Sequence, residues 1–208
     1  AHWSDIQLDY ARALGCDPPA ATPAFAPTPE DQREAQTVLA TLIPSVAQEV
    51  RGVEGRRPAP ADAPFIIVHP TNAEATRRNL WPTAGWSALA RALAKRFCMP
   101  VLVSGSPADA VVVDAIVGGP STPRASCATL GITAVAESRL DVTSAALPVV
   151  SIAGRLSIGA FGALAARARL FVGITTGTKD VAAAVGAPTV GIFPFQSDFP
   201  ERWAPRGT

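Results

Sequence analysis

The residues best suited to chemistry form one turn between two apolar runs in the last third of the chain. The turn holds Thr175, Thr176, Gly177, Thr178, Lys179 and Asp180. The apolar run before it predicts a buried strand and the small residues after it predict a helix, whose first N–H groups lack internal acceptors and carry partial positive charge. Hydroxyls, a glycine and a cation at such a helix start predict an anion site, and phosphate is its usual occupant. A well-capped helix without a ligand is the alternative interpretation.

Asp180 also fits two interpretations. A carboxylate in the first turn of a helix complements the helix dipole, although it would repel a phosphate that it faced. Alternatively, it pairs with Lys179 or with a nearby arginine, or it accepts hydrogen bonds from sugar hydroxyls.

Two arginines, Arg77 and Arg78, lie in the loop that follows the strand predicted at 65–69. Because parallel strands end at the same edge of a sheet, we expect these side chains to approach the anion site from the opposite side. Guanidinium groups bind phosphate in bidentate fashion. A solvated loop is the alternative. His69 ends the strand before a proline and is interpreted as a packed residue rather than a catalyst.

Several functional classes lack their sequence signatures. We find no Ser/His/Asp arrangement around a nucleophile elbow, no P-loop and no GxGxxG motif. The 2 histidines and 3 cysteines, without a CxxC pair, predict neither a metal site nor a disulfide framework. A net charge of +1 gives no case for nucleic acid. Without a long apolar run or a signal peptide, the chain is predicted to be soluble and cytoplasmic.

The elements that position the turn alternate between strands and helices. The predicted strands are 65–69, 101–104, 148–151, 170–173 and 188–193. This alternation predicts an α/β fold: a Rossmann-like, doubly wound parallel sheet with helices on both faces. Upstream, residues 1–15 form a predicted helix, and residues 16–64 form a proline-rich linker with one helix. That helix begins at Thr28 and Pro29, and we expect Pro44 to kink or end it. Its apolar stripe is formed by Val38, Leu39, Leu42 and Ile43.

Two serines are predicted to cap later helices. Ser106 precedes Pro107, which suits the first helical position, and Ser157 precedes the helix expected from Ile158.

Short stretches in a fixed order along the chain resemble glycosyltransferase family 9, the ADP-heptose:lipopolysaccharide heptosyltransferases. They are VHPTNA (68–73), LWPTAGWSALARAL (80–93), LVSGSP (102–107), IAGRLSI (152–158), GITTGTKDVAAAVGAPTVGIF (173–193) and PERWAP (200–205). The family counterparts are HPGAS, WPxxxWxxLA, TGGP, LAGKTSL, GNDTGPMHLAAALGTPTVALF and WxP. The resemblance covers about Phe65 to Pro205.

The resemblance implies the carboxyl-terminal, donor-binding half of a GT-B fold. Residues 65–208 would be the Rossmann-like domain that binds a nucleotide sugar, and 16–64 the linker. Residues 1–15 would be the end of an acceptor-side domain or a bridging helix. In this family, transfer is inverting and needs no metal, and the general base belongs to the other half. We therefore expect the catalytic base outside this sequence.

The same resemblance implies substrates rather than a cofactor. The donor would be a nucleotide sugar, ADP-linked and carrying a heptose or a related sugar. The acceptor would be a sugar, a lipid, a small molecule or a protein, and a lipid acceptor would bring peripheral membrane association. The expected donor- and phosphate-binding residues are Thr175, Thr176, Gly177, Thr178, Lys179, Asp180, Arg77, Arg78, Asn79, Ser104 and Gly105.

The chain departs from the family at polar donor contacts. The family's Asp-Thr-Gly-x-x-His motif has Thr175 in place of its aspartate and Asp180 in place of its histidine. The family lysine before Trp-Pro falls on Asn79, and the glycine of HPGAS is Thr71. These changes leave two hypotheses: a glycosyltransferase with a different donor or acceptor, or a nucleotide-sugar-binding homologue without transfer activity. A third hypothesis, a sugar-nucleotide epimerase, has no support, because this part of the protein does not show the acidic and histidine residues that such an enzyme needs.

Overall fold

The computed structural model describes residues 2–16, 24–49, 64–71, 81–118, 148–193 and 199–205. Its helices are α1 (Trp3–Ala13), α2 (Pro29–Glu49), α3 (Thr83–Phe97), α4 (Ala110–Val117), α5 (Ile158–Ala165), α6 (Gly177–Ala184) and α7 (Pro200–Trp203). Its strands are β1 (Ile66–His69), β2 (Val101–Val103), β3 (Val149–Ser151), β4 (Leu170–Ile174) and β5 (Thr189–Ile192). One 3₁₀ turn, Pro107–Asp109, leads into α4.

The five strands form one parallel sheet in the order β3-β2-β1-β4-β5. The first strand, β1, lies in the middle of the sheet. β2 and then β3 lie on one side of it, and β4 and then β5 lie on the other. His69 at the end of β1 is in register with Gly173 of β4. The predicted fold class, a doubly wound parallel sheet, is confirmed. The strand order reverses between β1 and β4, the kind of position where open α/β sheets form a binding crevice.

Both faces of the sheet are covered, because side chains of each strand point alternately to opposite sides. On one side, Ile67 of β1 and Phe171 of β4 pack with apolar residues of α2, α5 and α6. On the other side, Ile66 and Val68 of β1 pack with α3 and α4, including the buried Trp86. Each such aliphatic or aromatic side chain contributes roughly 1.5–3 kcal/mol when buried. The continuous apolar runs of these strands follow from burial on both faces.

Helix α2 begins where the sequence predicts. The Thr28 hydroxyl accepts a hydrogen bond from the Asp31 N–H at 3.2 Å, and Asp31 Oδ2 accepts one from the Thr28 N–H at 2.8 Å. Leu39 and Leu42 of the predicted apolar stripe are buried. The helix continues to Glu49, so the expectation that Pro44 could end it is wrong. Proline removes one intrahelical hydrogen bond, and that loss does not by itself stop the following turn.

Polar contacts join α2 to the start of α5. The predicted cap is present, since the Ser157 hydroxyl accepts a hydrogen bond from the Ala160 N–H at 3.1 Å. The Glu34 carboxylate of α2 accepts hydrogen bonds from the Ser157 N–H at 2.7 Å and from the Ser157 hydroxyl at 2.8 Å. Asp31 lies over Gly159, where an added Cβ would be 2.0 Å from Asp31 Oδ1. Hydrogen bonds from the Thr28 side chain and backbone lower the pKa of Asp31.

The cysteines differ from the sequence expectation. Cys16 is an exposed free thiol, but Cys98 at the end of α3 is disulfide-bonded, and its partner lies outside the described residues. The prediction that the cysteines form no disulfide is therefore wrong for Cys98. Within the described part of the chain, no helix is long and apolar enough to cross a membrane. The domain boundaries at residues 15 and 64 remain predictions.

The contact between Asp31 and Gly159 predicts an unusual response to Gly159→Ala. In a helix, Gly→Ala normally stabilises by up to about 1 kcal/mol. Here we expect the free energy of unfolding to fall by about 2 kcal/mol, because the new methyl overlaps the Asp31 carboxylate. Denaturant unfolding should show a smaller penalty in the Asp31→Ala background. A penalty of the same size in both backgrounds would contradict this packing.

Candidate functional site

A cavity of about 830 Å³ opens at the edge of the sheet where the strands end. Its lining residues follow β1, β2, β3 and β4, so it lies over the reversal of strand order between β1 and β4. This is the position predicted for ligand binding in an open α/β sheet.

The turn between β4 and α6 supplies one side of the cavity. Thr175, Thr176, Gly177 and Thr178 all line it, as the sequence predicts for a ligand-facing turn. The Thr176 hydroxyl bonds to Thr178 Oγ1 at 2.7 Å instead of capping the helix. The N–H groups of Gly177 and Thr178 donate to no acceptor among the described residues. They are free to bind an anion at the positive end of the helix dipole.

Gly177 keeps this turn open. A Cβ added there would meet no atom of the described residues within 4 Å. The backbone amides are therefore accessible to a ligand, and glycine's lack of a side chain permits the closest approach.

Thr71 lies on the opposite side of the strand reversal, after β1. Only 2% of its surface is exposed, it lines the cavity, and its hydroxyl has no hydrogen-bond partner in the described structure. A buried hydroxyl without a partner costs roughly 1–3 kcal/mol, which a ligand acceptor would offset. From the sequence, Thr71 stood out only as a replacement of the family glycine. Its position directly after a strand-ending His-Pro pair is the signal that could have identified it.

His69 and Ser104 form a hydrogen-bonded pair at the floor of the cavity. His69 is buried, and its Nδ1 lies 3.0 Å from the Ser104 hydroxyl. Burial lowers the pKa of His69 to about 4, although the charge of Asp109 and a backbone hydrogen bond at Thr71 act in the opposite direction. The imidazole is therefore neutral at neutral pH. Ser104, predicted as a donor contact, reaches the cavity, but His69 engages its hydroxyl.

The turn after β2 brings a carboxylate into the cavity. Asp109 Oδ2 accepts hydrogen bonds from the Ser106 N–H at 2.8 Å and from the Ser106 hydroxyl at 2.6 Å. Gly105, another predicted contact, also lines the cavity. A Cβ on Gly105 would lie 2.9 Å from Val113 and 3.0 Å from Asp109, so this position requires glycine. Sequence reasoning identified the Ser106 cap but missed that Asp109 faces the cavity.

The remaining wall of the cavity is apolar. Its apolar residues are Ile152, Leu156, Ile158, Phe161 and Val181. Most of them come from the segment after β3 and from the first turns of α5. The cavity therefore combines a polar side, at the starts of α6 and of the Thr71 loop, with an apolar side at α5.

Lys179 and Asp180 do not line the cavity. Lys179 is 1% exposed, and its Nζ donates to the Trp203 carbonyl and lies 2.7 Å from Asp180 Oδ1. Of the alternatives left open for Asp180, the pairing with Lys179 is the one observed. The structure thus gives no direct phosphate contact to Lys179, because its stem runs into the protein rather than toward the cavity.

Three predicted donor contacts, Arg77, Arg78 and Asn79, lie outside the described residues. In the part of the chain that is described, no group of three or more His, Cys, Asp or Glu residues could hold a metal ion.

Comparisons with known proteins agree with this architecture. A model of glycosyltransferase family 9 (heptosyltransferase) matches residues 133–207. Among solved structures, a family 9 glycosyl transferase from Veillonella parvula DSM 2008 is 17% identical, with a TM-score of 0.62, covering 94% of this chain and 47% of that protein. ADP-heptose LPS heptosyltransferase II from E. coli is 17% identical, with a TM-score of 0.55, covering 92% of this chain and 46% of that protein.

No curated protein matches the chain. The chain spans about half the length of the two solved structures. The resemblance to glycosyltransferase family 9 that the sequence motifs indicate is confirmed: the family model matches the last part of the chain, and the likeness of fold extends over most of its length.

Burial of His69 predicts a pH-dependent loss of stability. Its pKa of about 4 in the folded protein lies below the ordinary value of 6.5. Between these two pH values, His69 of the unfolded chain binds a proton that the folded protein does not bind. The contribution of the neutral His69 to the free energy of unfolding is therefore complete above about pH 6.5. It falls by on the order of 3 kcal/mol as the pH approaches 4. Denaturant unfolding across this range should show a flatter profile for His69→Asn, which keeps a polar atom near the Nδ1 position. An equally steep profile would contradict the assignment to His69.

Proposed function

We propose that this chain is the donor-binding part of a glycosyltransferase, which transfers a sugar from a nucleoside-diphosphate donor to an acceptor. The main support is a set of polar groups that find no partner among the described residues, on either side of the reversal of strand order: the amides of Gly177 and Thr178, and the buried Thr71 hydroxyl. The family match and the likeness to solved glycosyltransferase folds point to the same class of reaction.

In this proposal the diphosphate binds between the α6 turn and Thr71. β1 and β4 are neighbours, which brings the residues following them to the same crevice. When the glycosidic bond to the donor phosphate breaks, negative charge develops on the departing diphosphate. Amides and hydroxyls held in place by the fold stabilise that charge without reorganising. The described lining of the cavity includes no lysine or arginine, and Arg77 and Arg78 remain the proposed cations.

The nucleoside would extend along the cavity toward α5. A carboxylate can accept several hydrogen bonds, so Asp109 retains capacity for ribose hydroxyls beside its bonds from Ser106. Leu156 and Ile158 offer an apolar surface for a planar base. We propose an ADP-linked heptose or a related sugar as the donor. Inverting transfer without a metal, and a general base from the other half of the protein, complete the proposal.

One observation favours the alternative of a binding homologue without transfer activity. Asp180 stands where the family has histidine, and it pairs with Lys179 outside the cavity lining. Isothermal titration of the intact protein with ADP and with UDP tests the donor site, which both hypotheses share. A second assay with an ADP-sugar separates the two hypotheses. An active glycosyltransferase should release free sugar or transfer it to an acceptor, whereas a binding homologue should do neither. Affinity no better than millimolar for either nucleotide would contradict the donor site.

The two glycines at the ends of α6 offer a matched test. A methyl at Gly177 would contact no atom in the described part of the chain, so Gly177→Ala should change the free energy of unfolding by less than about 0.5 kcal/mol. It should nonetheless weaken ADP binding about tenfold or more, because the methyl occupies the approach to the amides. Gly186→Ala, at a φ of +84, should cost about 1 kcal/mol and leave ADP affinity unchanged. Undiminished ADP binding by Gly177→Ala would count against this turn as the phosphate site.

Thr71→Val removes a buried hydroxyl that finds no hydrogen-bond partner among the residues described. We expect the ligand-free protein to keep its stability or gain roughly 1 kcal/mol, while ADP affinity falls about tenfold. Thr189→Val is the control, because the Thr189 hydroxyl donates to the Ala187 carbonyl at 2.8 Å. That variant should lose stability and bind ADP normally. A Thr71→Val protein that is less stable but binds ADP like the wild type would show that the hydroxyl is structural.

A further inference from the structure

The segment 199–205 needs anchoring from the rest of the protein. Its helix, α7, has only 4 residues, and so short a helix is not stable by itself. Phe199, the N-cap residue immediately before it, has a φ of +43°, in the left-handed region that costs free energy for a residue other than glycine. The Arg202 guanidinium lies 5.6 Å from the centre of the Phe199 ring, a contact within the segment. Contacts with other elements must supply the remaining stabilisation.

Lys179 supplies one of these contacts from inside the protein. Its ammonium donates to the Trp203 carbonyl, pairs with Asp180, and lies 5.9 Å from the centre of the Phe193 ring. A Cβ on Gly191 would be 3.2 Å from Lys179 Cδ, so the glycine of β5 leaves room for the lysine stem. A buried charge is costly unless it is paired and hydrogen-bonded. Loss of the hydrogen bond from Lys179 to the Trp203 carbonyl would therefore destabilise the folded protein.

A second contact holds the next residue of the segment. His2 Nε2 lies 2.8 Å from the Ala204 carbonyl. The segment 199–205 is thus held from α6 at Trp203 and from the residue preceding α1 at Ala204.

Lys179 also belongs to the turn that faces the cavity. It is the third residue of α6, and its own N–H donates to the Thr176 carbonyl at 3.0 Å. Its backbone therefore closes the turn that presents the amides of Gly177 and Thr178, while its side chain holds Trp203. One residue connects the anion-binding turn to the segment 199–205.

We propose that Lys179 is a positioning residue that couples occupation of the α6 turn to the seating of segment 199–205. An anion that fixes residues 175–179 also fixes the base of the Lys179 side chain, and so strengthens its hold on Trp203. Reciprocity requires that the seated segment raise the affinity of the turn for the anion. This inference rests on the proposed function only for its ligand, a nucleoside diphosphate.

Hydrogen exchange of the intact protein, with and without ADP, tests the coupling. In the wild type, ADP should slow exchange in residues 175–180 and also in 199–205. Lys179→Met keeps an unbranched stem and removes the ammonium. In that variant ADP should still slow exchange in 175–180 but no longer in 199–205, and ADP affinity should fall about fivefold. Asp180→Asn keeps the bond to Trp203 and should retain the coupling.

The outcomes separate this inference from the proposed function. Equal protection of 199–205 by ADP in wild type and Lys179→Met would overturn the coupling, even if the variant exchanged faster overall. If ADP fails to protect 175–180 in the wild type, the proposed function fails instead. Hydrogen exchange without ADP then tests the role of Lys179. Lys179→Met must raise the exchange rate in 199–205 about tenfold, whereas Gly186→Ala, which perturbs the other end of α6, must not. Unchanged exchange in Lys179→Met would overturn the inference.

Discussion

The pairing of β1 with two parallel neighbours is the constraint on which the rest of the structure depends. β2 lies on one side of β1 and β4 on the other, so the connections that leave these strands pass to opposite faces of the sheet. The space between them at the ends of the strands cannot be filled by either connection. The cavity is a consequence of this topology, and its polar groups are those that follow the two strands.

Local sequence patterns predicted much of this fold because they reflect local physics. Apolar runs marked the strands, since burial on both faces leaves no polar alternation to obscure them. Thr28 and Ser157 marked helix starts, because their hydroxyls bond to amides only three residues away. Gly177 and its threonine neighbours were predicted to face a ligand for a similar reason: a strand that ends before a helix must expose the first amides of that helix.

Contacts between distant residues could not be predicted in this way. Glu34 caps α5 at Ser157, a partner 123 positions away, and no local pattern indicates it. Lys179 carries the charge that a phosphate site needs, but the direction of its side chain depends on the space beside Gly191 and on the Trp203 carbonyl. Thr71 and Asp109 were missed for the same reason. Whether a polar side chain faces a cavity is decided by how the surrounding elements pack.

The two helices that begin at the cavity differ electrostatically. The start of α6 is open, whereas the start of α5 already binds the Glu34 carboxylate. An anion is therefore attracted to one end of the cavity and meets a resident negative charge behind the other. An elongated molecule with one anionic and one apolar end therefore has a single favourable orientation in the cavity. The helix that bears Glu34 thus helps to determine which way round a bound molecule lies, although Glu34 itself does not line the cavity.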